Sequence, residues 1–160
     1  RGVYWIRFFT FLLRGDGMTD YKEIFDSFKD KITDYDLPLY TDDIQYEILC
    51  SILRKACAKF GRICKSDLST RDDEIMSFEC DLKIEEIDIL TEWMVYEWLT
   101  PYLNNIENLR NQLNTKDFSF FSPANLLSTI QNVHTASRKR AKSMMNEYSY
   151  VNSDLEKLKA

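Results

Sequence analysis

Apolar positions at helical spacing run through most of this chain and predict its elements. Tyr21, Ile24, Phe25, Phe28 and Ile32 form an i, i+3, i+4, i+7, i+11 series, which is the face one buried helix requires. Thr19 or Asp20 stands where a side chain would cap that helix. The stretch around Pro38 reads as an extended linker, because the residue before a proline is pushed out of the helical region. Thr41, Asp42 and Asp43 then open a second helix with an acidic first turn, favourable against the helix dipole. Its stripe is Ile44, Ile48, Leu49, Ile52, Leu53, Ala56 and Phe60. Lys55, Lys59 and Arg62 gather toward its C-terminal end, where Gly61 marks a stop or an irregularity.

Residues 66–81 are polar at first and predict a loop, with a short extended piece at 75–78. A third helix is expected from about 84 to 99, with Ile87, Leu90, Met94 and Trp98 on its main stripe. Ile89, Trp93, Val95 and Tyr96 make it apolar on more than one face, so it is either central in the fold or shared with a neighbouring subunit. Pro101 predicts an end or a kink, and Ile106, Leu109 and Leu113 a short fourth helix ending near Asn114. Phe118, Phe120 and Phe121 follow in a polar loop. Ser122 and Pro123 then start the last helix, serine as cap and proline where its missing donor costs nothing. Leu127, Ile130, His134, Ala141, Met144, Met145 and Tyr148 carry its stripe to about residue 150, roughly 40 Å at 1.5 Å per residue. The expected fold is an all-α bundle of about four to five helices, with a long C-terminal helix and an extended loop between the second and third. Residues 18–150 form the helical domain and 151–160 a polar tail.

Composition narrows the class. At 160 residues, 44% hydrophobic and 14% aromatic, the chain suits one domain with a real core. Four glycines and three prolines argue against a turn-rich β-sandwich and against disorder. The net charge of −5 disfavours a general nucleic-acid surface, since phosphate contacts need clustered cations. Residues 1–17 hold three arginines and one aspartate, so Met18 onward carries 18 basic and 25 acidic residues.

That first segment reads differently from the rest. Its apolar run, 3–13, is interrupted by Arg7 and is too short to span a bilayer, which takes about 20 residues. Arg14-Gly15-Asp16-Gly17 supplies no small-residue cleavage site for a signal peptide. Codons for Arg-Gly-Asp can spell AGG-GGN-GAY, a purine-rich run like a bacterial ribosome-binding site, just before Met18. Residues 1–17 are therefore expected to be a non-native leader, with the native protein starting at Met18. The N-terminal mass of protein made from its natural gene tests this; a peptide containing Tyr4-Trp5 refutes it.

Candidate chemistry is sparse. Cys50, Cys57 and Cys64 are spaced by seven, which makes one stripe if the helix runs that far, and Cys80 stands apart. Two helical turns, about 10 Å, exclude disulfides along such a stripe. Metal sites want CxxC pairs or nearby histidines, and the single histidine is His134, so free thiols are expected and no metal. No glycine-rich phosphate loop or HExxH motif occurs. Asp72-Asp73-Glu74 reads as a solvated turn and Glu85-Glu86 as an acidic helix start. His134 lies on the apolar side of its helix as a partly buried residue. No catalytic residue, cofactor or enzyme activity is expected. Contact surfaces are the remaining candidates: Trp93, Trp98, Phe118, Phe120 and Phe121 as aromatic anchors, and Arg138, Arg140 and Lys142 in the basic run.

Asp67-Leu68 followed by Arg71-Asp72-Asp73, the MVYEWLTPYL helix end, and Lys116-Asp117-Phe118 leading to Ser122-Pro123-Ala124-Asn125-Leu126 resemble small helical proteins of tailed bacteriophages and prophages of Gram-positive bacteria. These are thought to be neck, or head–tail connector, proteins. The likeness covers roughly 40–150 and consists of packing and loop residues. It implies an adaptor ring of self-copies, expected to be dodecameric, docked on the portal protein and meeting a stopper or tail-completion protein. DNA would pass through without sequence-specific binding, and no membrane would be involved. The protein would sit in the virion neck after assembly in the bacterial cytoplasm. The competing expectation is a helical DNA-binding or regulatory protein of the same genetic element, working through 138–142.

Overall fold

The computed structural model describes residues 17–32, 41–112 and 123–153. The leader segment before Gly17, the Phe118, Phe120 and Phe121 loop, the Ser122 cap and the last seven residues lie outside the described residues.

Four helices form among the described residues: α1 (Tyr21–Lys31), α2 (Asp42–Phe60), α3 (Ile84–Gln112) and α4 (Pro123–Asn152). The mostly helical expectation holds at that level. Asp20 is the cap of α1, its Oδ1 accepting from the Lys22 N–H at 3.0 Å. Tyr21, Ile24, Phe25 and Phe28 bury the face their spacing predicts. In α2 the buried set is Leu49, Ile52, Leu53, Ala56, Cys57 and Phe60, while Ile44 stays exposed. The helix ends at Phe60, with the Gly61 N–H bonded back to the Cys57 carbonyl. Cys64 therefore lies past the helix, off the expected stripe. All four cysteines are free; Cys57 is buried, and Cys50, Cys64 and Cys80 are half-buried.

Two expectations need correction. The separate third and fourth helices are one 29-residue helix, α3, which continues through Pro101. Proline removes one donor, that of its own nitrogen. The carbonyl left without that donor is the one four residues back, at Glu97. One turn back, the Thr100 hydroxyl donates to the Tyr96 carbonyl at 3.0 Å. The second correction is a small antiparallel sheet beside the helices, of strand order β1-β3-β2, with β1 at Thr19–Asp20, β2 at Arg71–Asp72 and β3 at Ser77–Phe78. Only the piece around 75–78 was legible beforehand.

The sheet has a clear task. Thr19 pairs with Phe78 and Asp20 with Ser77, and the Thr19 hydroxyl accepts from the Leu82 N–H at 2.7 Å. These bonds hold the entry to α1 against the loop that leads into α3. The β2–β3 turn is closed by Asp72, whose Oδ1 accepts from the N–H groups of Glu74 and Ile75, with Met76 at φ 57°. Phe78 is fully buried and lies 5.1 Å from the Tyr21 ring.

α3 is the central element, packed by α1, α2 and α4. Ile87, Ile89, Leu90, Trp93, Met94 and Val95 are all buried within the one subunit. Of the two possibilities for an all-round apolar helix, the described residues thus realise the first, a central position. Three carboxylates are buried with them, and each faces a different neighbour. Glu86 meets the end of α4, Glu92 the middle of α4 and the end of α1, and Glu97 the lysines of α2. Steps of six and five residues turn these side chains to separate sides of the helix, at about 100° per residue.

Candidate binding groove

α2, α3 and α4 converge on a groove of about 580 Å³. Lys59 from the last turn of α2, with Arg62 just beyond it, forms one wall. Arg138 and Lys142, four residues apart on α4, form the other, and Trp93 and Tyr96 of α3 line the space between them.

The floor is packed. Trp93 is only 5% exposed, and its Nε1–H points at the Met145 sulfur, 2.9 Å away. Its ring meets Tyr96 edge-on, with centroids 5.5 Å apart, and Tyr96 stacks on His134 at 4.2 Å. Lys59 Nζ lies 5.4 Å from the centroids of both Trp93 and Tyr96, within cation–π reach of each. It also pairs with Glu97 Oε1 at 3.1 Å, and Lys55 approaches the other oxygen at 3.9 Å. Lys59 is therefore a fixed part of the wall.

His134 completes the floor, half-buried as expected. Its Nε2 is 3.1 Å from Thr100 Oγ1, whose own proton goes to the Tyr96 carbonyl. The histidine is then the donor, with the proton on Nε2. Burial, followed by the nearby Arg138 charge, lowers its pKa below the usual 6.5 and keeps the ring neutral.

The basic run divides by helical geometry. Arg138 and Lys142 face the groove together with Arg62. None of these three pairs with a carboxylate among the described residues. Arg140, about 200° around the helix from Arg138 at 100° per residue, points elsewhere. Its Nη1 lies 3.2 Å from Oε1 of Glu92, which also accepts from the Ser137 hydroxyl at 2.9 Å. Lys31 approaches the other Glu92 oxygen at 3.9 Å. Arg140 thus serves to hold α4 onto α3.

The opposite end of α2 is richer in carboxylates. A wider groove of about 900 Å³ is lined there by Asp42, Asp43, Glu47 and Asp73, with Lys29 and Arg54 among them. Asp73 is satisfied: it accepts from the Tyr21 hydroxyl at 2.8 Å and pairs with Arg54 Nη2 at 2.8 Å. Burial alone would raise its pKa; Tyr21, Arg54 and Arg71 outweigh that and hold it below the usual carboxylate range. Asp42, Asp43 and Glu47 are exposed and form no ion pair among the described residues.

Family models, curated proteins and solved structures were all compared with the chain, and none matches.

The candidates from sequence are thus dispersed. Arg138 and Lys142 share one groove, and Trp93 forms its buried floor. Trp98 is half-buried on another side, edge-on to Phe28 at 6.2 Å. Phe118, Phe120 and Phe121 lie outside the described residues. Among the described residues no group of three or more His, Cys, Asp or Glu side chains converges as a metal site, and no helix is long and apolar enough to cross a membrane. Sequence reasoning missed the joining of Lys59 and Arg62 to Arg138 and Lys142. The acidic helix start at Glu85-Glu86 is present, but sequence reasoning did not foresee that the Glu86 side chain is fully buried. The available signal was Glu86, Glu92 and Glu97 standing among apolar residues on more than one face of the helix.

Proposed function

We propose that the chain is a structural protein of a tailed-phage virion, a head–tail connector that docks on the portal and extends the DNA channel toward the tail. In this reading copies form a closed ring, of twelve subunits if the resemblance extends to copy number, and the far side receives a stopper or tail-completion protein. No catalytic role is assigned to it. The observation that carries the reading is the contrast within α4. Only Ser137, Ala141, Met145 and Tyr148 of its described side chains are buried, so one narrow stripe anchors a 30-residue helix whose other faces are open to contact. Because Ile87 to Val95 of α3 bury their apolar side chains inside the subunit, the outer helices are the ones left open for contacts between subunits. Purified particles of the encoding phage test this: peptides of the chain should be present at constant stoichiometry to the portal protein. A chain abundant in infected cells but absent from particles overturns it.

The cations of the groove are the observation behind a second reading, a helical DNA-binding or regulatory protein. Arg62, Arg138 and Lys142 would contact phosphates, so affinity for duplex DNA should fall steeply with salt, by a log–log slope of about −0.9 per contact. Absence of binding at physiological salt excludes it.

A further inference from the structure

We propose that the cationic groove receives the carboxylate face at the start of α2 of a second copy of this chain, so that copies join head to tail. This rests on the ring reading above and names the surfaces that would make the ring. Three cations without an ion pair among the described residues, Arg62, Arg138 and Lys142, stand at one end of α2, and three such carboxylates, Asp42, Asp43 and Glu47, with Lys29 beside them, at the other. α2 has 19 residues and is about 28 Å long at 1.5 Å each, so the two sets cannot meet within one subunit. Their pairing is intermolecular. A contact between two different patches of the same chain is heterologous, and repeating it closes a ring or grows a filament.

Helix-dipole compensation explains part of this pattern and leaves the rest. Asp42 and Asp43 occupy the first turn of α2, where acids are ordinary. Glu47 is beyond that turn, and Arg138 and Lys142 lie in the middle of α4, far from either terminus. Nor is nucleic acid the better occupant. The cations surround one concave spot instead of following a track, and the chain as a whole carries −5, which repels a polyanion that extends past the groove. A short acidic surface meets only the groove. Lys59, fixed over Trp93 and Tyr96 and paired with Glu97, gives that surface a preorganised wall to dock against.

Charge exchange on the full chain provides the test. One variant carries Arg138→Glu with Lys142→Glu, and another Asp43→Lys with Glu47→Lys; all four positions are exposed, and circular dichroism checks folding. Sedimentation velocity across a concentration series at near-physiological salt should show the unaltered chain self-associating and each variant alone monomeric. An equimolar mixture of the two variants should associate again, because each now presents the partner charge the other lacks. The chain carrying all four changes should self-associate as well. A monomeric unaltered chain, variants that associate like it, or a mixture of folded variants that stays monomeric overturns the pairing. So does duplex DNA binding that is lost in the Arg138→Glu, Lys142→Glu variant while self-association persists. A chain that fails here yet is found in particle necks leaves the connector reading intact, and a self-associating chain absent from particles does the reverse.

Discussion

Tyr148 donates its hydroxyl proton to Oε1 of Glu86 at 2.5 Å, tying the far end of α4 to the first turn of α3 across 62 residues of sequence. The same hydroxyl accepts from the Lys65 N–H at 2.9 Å. Glu86 accepts further from the Ser66 hydroxyl at 2.8 Å and the Lys83 N–H at 3.0 Å, with the Cys64 thiol 3.4 Å away. One buried carboxylate thus gathers the end of α4, the loop after α2 and the start of α3. The Phe60 ring packs edge-on against Tyr148 at 5.3 Å beside it.

Tyr148→Phe keeps the ring and removes only the bridge. It should lower unfolding free energy by about 1–2 kcal/mol, since the Lys65 N–H and one Glu86 lone pair lose their partner. Glu86→Leu strands several donors at once and should cost more, about 3 kcal/mol. Urea titrations of both variants measure these losses. An unchanged midpoint for Glu86→Leu contradicts the clasp.

Acid should loosen the same clasp. Burial alone would raise the Glu86 pKa; donors from Tyr148, Lys83, Ser66 and Cys64 outweigh it and bring the pKa below the ordinary 4.5. The unfolded chain then binds a proton at higher pH than the folded one. The stabilisation is complete above about pH 4.5 and is lost as pH falls through the folded value. Thermal melts between pH 7 and 3 should show a falling midpoint below that point, and Glu86→Gln should show a smaller acid slope on a lower baseline.

Trp93 separates a core role from an anchor role. It is buried against Met145 and Tyr96, so Trp93→Ala should cost about 3–5 kcal/mol in an isolated subunit. Trp98 is half-buried beside Phe28 and Tyr102, and Trp98→Ala should cost less. Chemical denaturation of the dilute chain ranks the two. A Trp93→Ala subunit as stable as the unaltered one contradicts the packing.

The basic run offers an internal control. Arg140→Ala removes a cation from a carboxylate that is only 3% exposed, and should cost about 1 kcal/mol, with Lys31 and Ser137 retaining the rest. Arg138→Ala, two positions away, should leave stability within about 0.5 kcal/mol. Equal effects at both positions contradict the division of the run into a staple and a groove wall.

Sequence disclosed the helices because their apolar spacing is a local property. Tyr21 to Phe28, Leu49 to Phe60 and Ala141 to Tyr148 follow the expected stripes almost residue for residue. Pro101 misled because the rule against proline concerns one lost bond, and a 29-residue helix with its neighbouring bonds in place absorbs that loss. The sheet was hidden for a different reason. Each strand is two residues long, and β1 finds β3 some 60 residues away, a pairing no local pattern encodes. Glu86, Glu92 and Glu97 look like solvated charges until their partners on three other elements are known. The groove likewise needs α2 and α4 side by side before Arg62 and Arg138 can be seen to share it.

Imaging the neck of the phage particle by electron cryo-microscopy reaches the proposal most directly. A ring of this mostly helical fold should fill the density beneath the portal, with the start of α2 in each subunit seated against Arg138 and Lys142 of the next. A neck resolved well enough to trace its chains, and built entirely from other folds, would refute the assignment.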